Sequence, residues 1–232
     1  MSLRYRCLVL DHDDTVVDST RTIHYPSFVE YLRLTRPELA DKYSFEDYMR
    51  YNFSPGVVSF FRDMIGMSDK EMAKEEKFWA DYVASHVPAV YPGIREILWD
   101  FHTRGGIIAV DSHSYTRYIE RDYRENALPA PDIIYGWDLP PERRKPAPYT
   151  VLDIMCRFDI SPDDILVVDD SKPAYDMARA AGVRIAGAGW GFSVPEIAAF
   201  MRERCDYYCS RVDDLRQIIG LPPAGTPDDT KK

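Results

Sequence analysis

Several short stretches of the chain are apolar at every position rather than at alternate ones. They are Cys7–Leu10, Ile107–Val110, Ile165–Val168 and, interrupted by Arg184, Val183–Ala186, with a weaker run at Ile133–Ile134. Strands covered on both faces read this way, whereas half-exposed strands alternate. Helical spacing fills the intervals. Ile94, Ile97, Leu98 and Phe101 share one helical face, and Gly105-Gly106 ends that helix. Val151, Leu152 and Met155 mark a second, and Ala174, Ala178 and Ala181 a third, closed by Gly182. Ser161-Pro162-Asp163-Asp164 predicts a short helical turn with Ser161 as N-cap. Strands alternating with helices predict right-handed crossovers and a doubly wound parallel α/β sheet.

One region breaks the alternation. Between Asp18 and about Tyr91 no buried-strand run occurs, while Phe28, Tyr31 and Leu32, and again Phe78, Trp79, Tyr82 and Val83, have helical spacing. Ser68 with Glu71 predicts a capping box opening the second of these helices. Tyr51-Asn52-Phe53-Ser54-Pro55-Gly56 predicts a loop. The expected organisation is a core of residues 1–17 and 91–232 interrupted by a small helical domain, 18–90, with its own aromatic core. The last stretch, 222–232, is Pro-, Asp- and Lys-rich and predicts a frayed tail.

Composition narrows the function classes. The 232 residues are 45% hydrophobic and 29% charged, as in a water-soluble globular protein. A net charge of -9 argues against non-specific nucleic-acid binding, though not against an anionic substrate held beside a cation. Cys7, Cys156, Cys205 and Cys209 form no C-x-x-C pair and predict reduced thiols. No targeting signal and no run of membrane-spanning length is visible, so a cytoplasmic protein without a membrane partner is expected. Nothing in the chain predicts an oligomeric state.

Polar residues gather where the apolar runs end: Asp11 after the first, Asp111 and Ser112 after the second, Asp169 and Asp170 after another. Each alone is as well explained as the N-cap of the next helix. Together they predict one crevice, because ligands of open α/β sheets bind outside the carboxyl ends of the strands. Carboxylates so gathered repel one another and need a cation. All-oxygen ligation points to Mg²⁺.

These residues carry a family resemblance. Leu8-Val9-Leu10-Asp11-His12-Asp13-Asp14-Thr15 resembles the first motif of the haloacid dehalogenase superfamily, an apolar strand followed by D-x-D-x-T. Ile107–Ser112 resembles the second, Lys145-Pro146-Ala147-Pro148 the third, and Ile165–Ser171, with its double Asp, the fourth. The flanks agree: Tyr91-Pro92-Gly93, Ala180-Ala181-Gly182 and Gly189-Trp190-Gly191. The helical insert after the first motif is similar to the mobile cap of the branch that includes phosphoglycolate phosphatases and β-phosphoglucomutase-like enzymes.

The resemblance implies a Rossmann-like core with a helical cap and a Mg²⁺-dependent phosphatase acting on a small phosphorylated metabolite. Asp11 would be the nucleophile and Asp13 the general acid and base. Mg²⁺ would sit on Asp11, the Asp13 carbonyl and Asp170, with Asp169 close by. Ser112 would bind a phosphoryl oxygen, Lys145 would offset charge, and Thr15 would fix the loop through its hydroxyl. His12 and His113 are further candidates for contact with substrate. In the cap, Arg21, His24, Tyr25, Arg50 and Arg62 are the candidates for selecting it. The family usually has Gly where this chain has Asp14. A phosphomutase of the β-phosphoglucomutase type uses the same motifs, and a metal-dependent binding module without turnover would keep the same fold. Asp13 argues against a dehalogenase, and no cap lysine (Lys42, Lys70, Lys74, Lys77) is marked as the Schiff-base lysine a phosphonate hydrolase needs.

Overall fold

The computed structural model describes residues 3–191 and 194–223. Its centre is a parallel sheet of β1 (Cys7–Leu10), β4 (Ile107–Asp111), β5 (Ile133–Tyr135), β6 (Ile165–Asp169), β7 (Arg184–Ala188) and β8 (Tyr207–Cys209), ordered β5-β4-β1-β6-β7-β8. The two-residue strands β2 (Val17–Asp18) and β3 (Ala89–Val90) pair antiparallel as a separate ribbon.

Alternate residues of each central strand point to opposite faces, so two cores form. Leu8, Leu10, Ile108, Val110, Leu166 and Val168 pack against α5 (Ile94–Thr103), α6 (Thr116–Glu125) and α10 (Val212–Ile218). Cys7, Val9, Ala109, Ile165 and Val167 pack against α7 (Tyr149–Phe158) and α8 (Lys172–Ala181). Burial on both faces explains why these strands are apolar throughout. The doubly wound α/β expectation is met. All four cysteines are free.

Between β2 and β3 the chain is helical. A π-helical turn at Thr20–His24 runs into α1 (Tyr25–Thr35), followed by α2 (Phe45–Phe53), the short α3 (Val57–Ser59), a second π turn at Phe60–Met64 and α4 (Asp69–Ala84). Ser68 caps α4 with Glu71 as its reciprocal partner, as its spacing predicts. The rings in this segment form their own cluster: Phe28, 1% exposed, meets Tyr25, Tyr43, Tyr48, Phe60 and Phe61. Phe28→Ala should therefore cost about 3–5 kcal/mol of stability, read from denaturant unfolding. A loss below 1 kcal/mol would mean that this cluster does not hold the segment together.

Four local expectations need correction. Tyr51, Asn52 and Phe53 are the last turn of α2, not loop. A capping box between Ser44 and Asp47 starts that helix early, and buried Tyr48 and Met49 anchor it, so the chain leaves the helix only at Ser54-Pro55-Gly56. The strand expected at Val183–Ala186 begins one residue later and ends at Ala188. β8 was not foreseen, because as an edge strand its Tyr-Tyr-Cys run is only partly covered. Of the stretch expected to fray, Pro222 accepts a hydrogen bond from Arg216 at 2.9 Å, and residues 224–232 lie outside the described residues.

Candidate functional site

Strand order brings the polar strand ends together. β1 lies between β4 and β6, and Leu10 is level with both Val110 and Val168. Asp11, Ser112, Asp169 and Asp170 therefore emerge along one edge of the sheet. Lys145, from the loop before α7, reaches the same point. Its Nζ donates to Asp11 Oδ1 at 2.9 Å and to Asp169 Oδ2 at 2.7 Å. All three residues are buried. Burial works to lower the Lys145 pKa, but Asp11, Asp169 and Asp111 together outweigh it and raise it, so the ammonium stays charged.

Oxygens of Asp11, Asp169 and Asp170 lie within 4.8 Å of one another and could hold a metal ion. Burial pushes the Asp11 carboxyl well up against the pull of Lys145, and Asp169 and Asp13 add to that push. Asp170 is raised in the same way, by burial first and then by Asp14, Asp169 and Asp11. A hard divalent cation suits this set: the donors are all oxygens, and its charge would reverse both shifts. Asp169 is the least available of the three, since Lys145 occupies one oxygen and the Ser171 N–H the other, at 2.8 Å. The Asp13 carboxylate is not in the cluster.

Asp13 turns instead toward the helical segment. Its Oδ1 accepts from Ser19 Oγ at 2.6 Å and from His24 Nε2 at 2.9 Å. Its Oδ2 accepts from Ser114 Oγ at 2.6 Å and, more distantly, from Ser112 Oγ at 3.4 Å. Burial would raise this carboxyl, but the charge and hydrogen bond of His24 outweigh it and hold the group far below the usual carboxylate range. Trp79 Nε1–H donates to His24 Nδ1 at 2.9 Å, which leaves Nε2–H to donate to Asp13. Burial disfavours a charged His24 ring, yet Asp13 and Asp14 favour it more, and its pKa is raised. His24 is foreseen only as a selector of substrate, and Ser114 and Ser19 not at all. Their signal was weak: Ser114 follows Ser112 by two residues, and Ser19 lies between β2 and the π-helical turn.

Asp14 occupies a turn position at φ +57°, the left-handed region that glycine favours and Asp tolerates better than most residues. Its Oδ1 accepts the Thr20 N–H at 3.1 Å, and burial pushes its carboxyl up to about 6. Gly191, from the loop after β7, lies so close to this turn that a Cβ there would come within 2.6 Å of Tyr91 Oη and 3.1 Å of the Asp14 carbonyl.

Two expected contacts are not found. The His12 ring is buried, bonded through Nε2 to Asp122 at 3.0 Å and stacked on Tyr123, so it does not line the cavity. Asp122 and the aromatic ring give the imidazole a place inside the core. Thr15 is fully buried and its hydroxyl has no partner among the described residues. The turn is held instead through its carbonyl, which accepts from Trp190 Nε1 at 3.0 Å. His113 does line the cavity; burial and Lys145 lower its pKa to about 4, and its Nε2 sits 3.3 Å from the Lys145 carbonyl, where it can only donate. Asp111 points away, accepting from Thr150.

Above these residues is a cavity of about 660 Å³, whose lining includes Asp11, Asp13, Ser112, His113, Lys145 and Asp170. Among the five selectors expected in the helical segment, His24 and Arg62 line it. Arg21 stacks on Phe45, Tyr25 donates to the Tyr43 carbonyl, and Arg50 pairs with Asp47 and Glu196.

The chain is similar to proteins of known class. A phosphoglycolate phosphatase from Pseudomonas fluorescens is 31% identical over 147 residues, 62% of this chain and 52% of that protein. One from Pseudomonas aeruginosa is 33% identical over 138 residues, 58% of this chain and 50% of the relative. The chain thus spans about half the length of these relatives. A solved structure from Bacteroides fragilis, described as a haloacid dehalogenase-like hydrolase, superposes with a TM-score of 0.75 at 22% identity, covering 91% of this chain and 99% of its own. CbbY from Rhodobacter sphaeroides, solved in complex with phosphate, gives 0.64 at 20% identity, covering 88% and 93%. These two establish the fold alone. A family model for haloacid dehalogenase-like hydrolases matches residues 8–188, more than half of the chain, and with the four motifs converging on one edge of the sheet the chain belongs to that family.

Proposed function

We propose that this protein is a Mg²⁺-dependent phosphatase of a small phosphorylated metabolite, working through a phosphorylated Asp11. The observation that carries this reading is the Lys145 ammonium, shared between Asp11 and Asp169 at the floor of the cavity, with Asp13 held separately by His24. Two carboxylates in such different surroundings suit two roles. The similarity to phosphoglycolate phosphatases supports phosphate ester chemistry.

Asp11 attacks phosphorus, forming an aspartyl-phosphate as the bond to the leaving oxygen breaks. Asp13 hands that oxygen a proton. The anionic substrate raises the Asp13 carboxyl so that it enters this step protonated and leaves it ionised, and His24, whose Nε2–H bonds the same carboxylate, orients it. In the second step Asp13 draws a proton from the water that cleaves the intermediate, and free Asp11 and phosphate result. Ser112 and Lys145 bind phosphoryl oxygens, and Lys145 offsets their charge. Asp11 and Asp170, with Asp169 and the Asp13 carbonyl nearby, would hold Mg²⁺, which stabilises the charge on the transferring group. Residues 18–90 act as a cap that flexes at the β2–β3 ribbon, selects substrate and excludes water.

Acetyl phosphate, which needs little from the cap, is the first test: turnover with Mg²⁺ supports the reading, and none under any divalent cation defeats it. His24→Gln should lower kcat about 100-fold on an alkyl phosphate whose leaving oxygen needs a proton. The effect should be smaller on p-nitrophenyl phosphate, whose leaving group does not. Equal losses on the two would mean that His24 does not act through Asp13.

A further inference from the structure

We propose that Glu75 determines specificity in the cap: it selects phosphate esters whose alcohol part carries an ammonium or hydroxyl group and rejects those carrying a carboxylate. The inference rests on the phosphatase reading and concerns the same cavity.

Glu75 lies in α4, is 9% exposed and lines the cavity, with no hydrogen bond or ion pair to any described residue. Its neighbour Glu76 is engaged, accepting from Tyr115 Oη at 2.6 Å and Trp137 Nε1 at 2.8 Å. A buried carboxyl left without a partner is costly, and the group that would satisfy it must come from within the cavity. Tyr48, Met49, Phe61 and Met72 add apolar wall to the same cavity.

The charge balance of the cavity sets the kind of ligand. Seven carboxyl groups line it: Asp11, Asp13, Asp14, Asp69, Glu75, Glu76 and Asp170. Three of the basic side chains in the lining are paired with a carboxylate, and a fourth, Arg144, is held by other contacts. Lys145 holds Asp11 and Asp169, His24 holds Asp13, and Arg62 pairs with Asp69 at 2.9 Å. Arg144 stacks on Trp137 and donates to the Leu139 carbonyl. A substrate carboxylate would meet the like charge of the lining acids, with Arg144 the one guanidinium there not already paired with a carboxylate to offset it. A hydroxyl can pair with Glu75 in either protonation state. Burial, aided by Glu76, pushes the Glu75 carboxyl up to about 8, and an arriving ammonium would ionise it and bind as an ion pair.

The test uses Mg²⁺-loaded full-length protein and matched alkyl monophosphates on two-carbon and four-carbon chains, each ending in ammonium, hydroxyl or carboxylate. The two-carbon carboxylate is 2-phosphoglycolate. Wild-type kcat/KM should fall in the order ammonium, hydroxyl, carboxylate, with at least about tenfold between the first and last at one chain length or both. Glu75→Gln, which keeps shape and loses charge, should shrink the ammonium-to-hydroxyl ratio by about tenfold. The wild-type order stands as evidence even if the variant fails to fold. A carboxylate ester turned over as well as its hydroxyl counterpart at both lengths overturns the proposal, as does an unchanged ratio in folded Glu75→Gln. Acetyl phosphate separates the two levels: if it too is not hydrolysed, the phosphatase reading has failed and this inference falls with it. If it is hydrolysed and 2-phosphoglycolate is the best ester, only the role of Glu75 is wrong.

Discussion

Asp11→Asn is expected to lower turnover of any phosphate ester by about 10⁴-fold or more, because an amide of the same shape cannot act as the nucleophile. The fold should survive. The amide oxygen can still accept from Lys145, and Lys145 keeps its 2.7 Å bond to Asp169. Without metal, the variant should be no less stable than wild type. The Asp11 carboxyl is held above its ordinary range by burial and by its neighbours Asp169 and Asp13, so removing its charge relieves repulsion at the strand end. Steady-state kinetics and a thermal melt on the same sample check both halves. A variant that folds and keeps wild-type turnover would remove Asp11 from the chemistry.

Removing the metal is expected to have an effect of similar size. Activity should vanish in excess chelator and return with Mg²⁺. Mg²⁺ at a hundred times its Kd should stabilise the protein by about 2.7 kcal/mol, since it binds only the folded chain. Asp170→Ala should abolish that stabilisation without harming the metal-free protein, because Asp170 is a half-buried carboxyl crowded by Asp14, Asp169 and Asp11. Asp169→Ala should be worse for stability, since it strips Lys145 of one of its two carboxylate partners and leaves the Ser171 N–H unpaired. Full activity in chelator, or an Asp170→Ala variant that Mg²⁺ stabilises as strongly as wild type, would count against this site.

The Asp13–His24–Trp79 hydrogen-bond chain shows why part of the site was hidden in the sequence. Asp13 and His24 are separated by eleven positions and a π-helical turn, and Trp79 lies in a different helix. No periodicity links them; a 2.9 Å contact on either side of one ring does. Glu75 is a similar case. In sequence it is one more charge on a highly charged helix, and its isolation depends on what packs around α4.

His12 and Thr15 show the opposite error. Both sit inside the most recognisable motif, and position in a motif says which way the backbone runs but not where a side chain finds its partner. His12 found Asp122, which is 110 residues away. Thr15 contributes its carbonyl to Trp190 across 175 residues. The Asp14 substitution was better judged, because φ +57° is a local requirement and local chemistry decides it.

What could be read from the residues was whatever depends on near neighbours. The continuous apolar runs reported strands buried on both faces, and the capping boxes and closing glycines reported helix ends, since periods of two and 3.6 residues are properties of a short segment. The aspartates at the strand ends reported a shared acidic crevice that could hold a cation once the parallel sheet was inferred. Strand order was not legible in the same way: it was β1's place between β4 and β6, set by packing helices on both faces, that drew Asp11, Ser112, Asp169 and Asp170 to one edge. Nor was the partner of each side chain, because a buried polar group takes whichever donor or acceptor the completed core brings within about 3 Å, however distant in sequence.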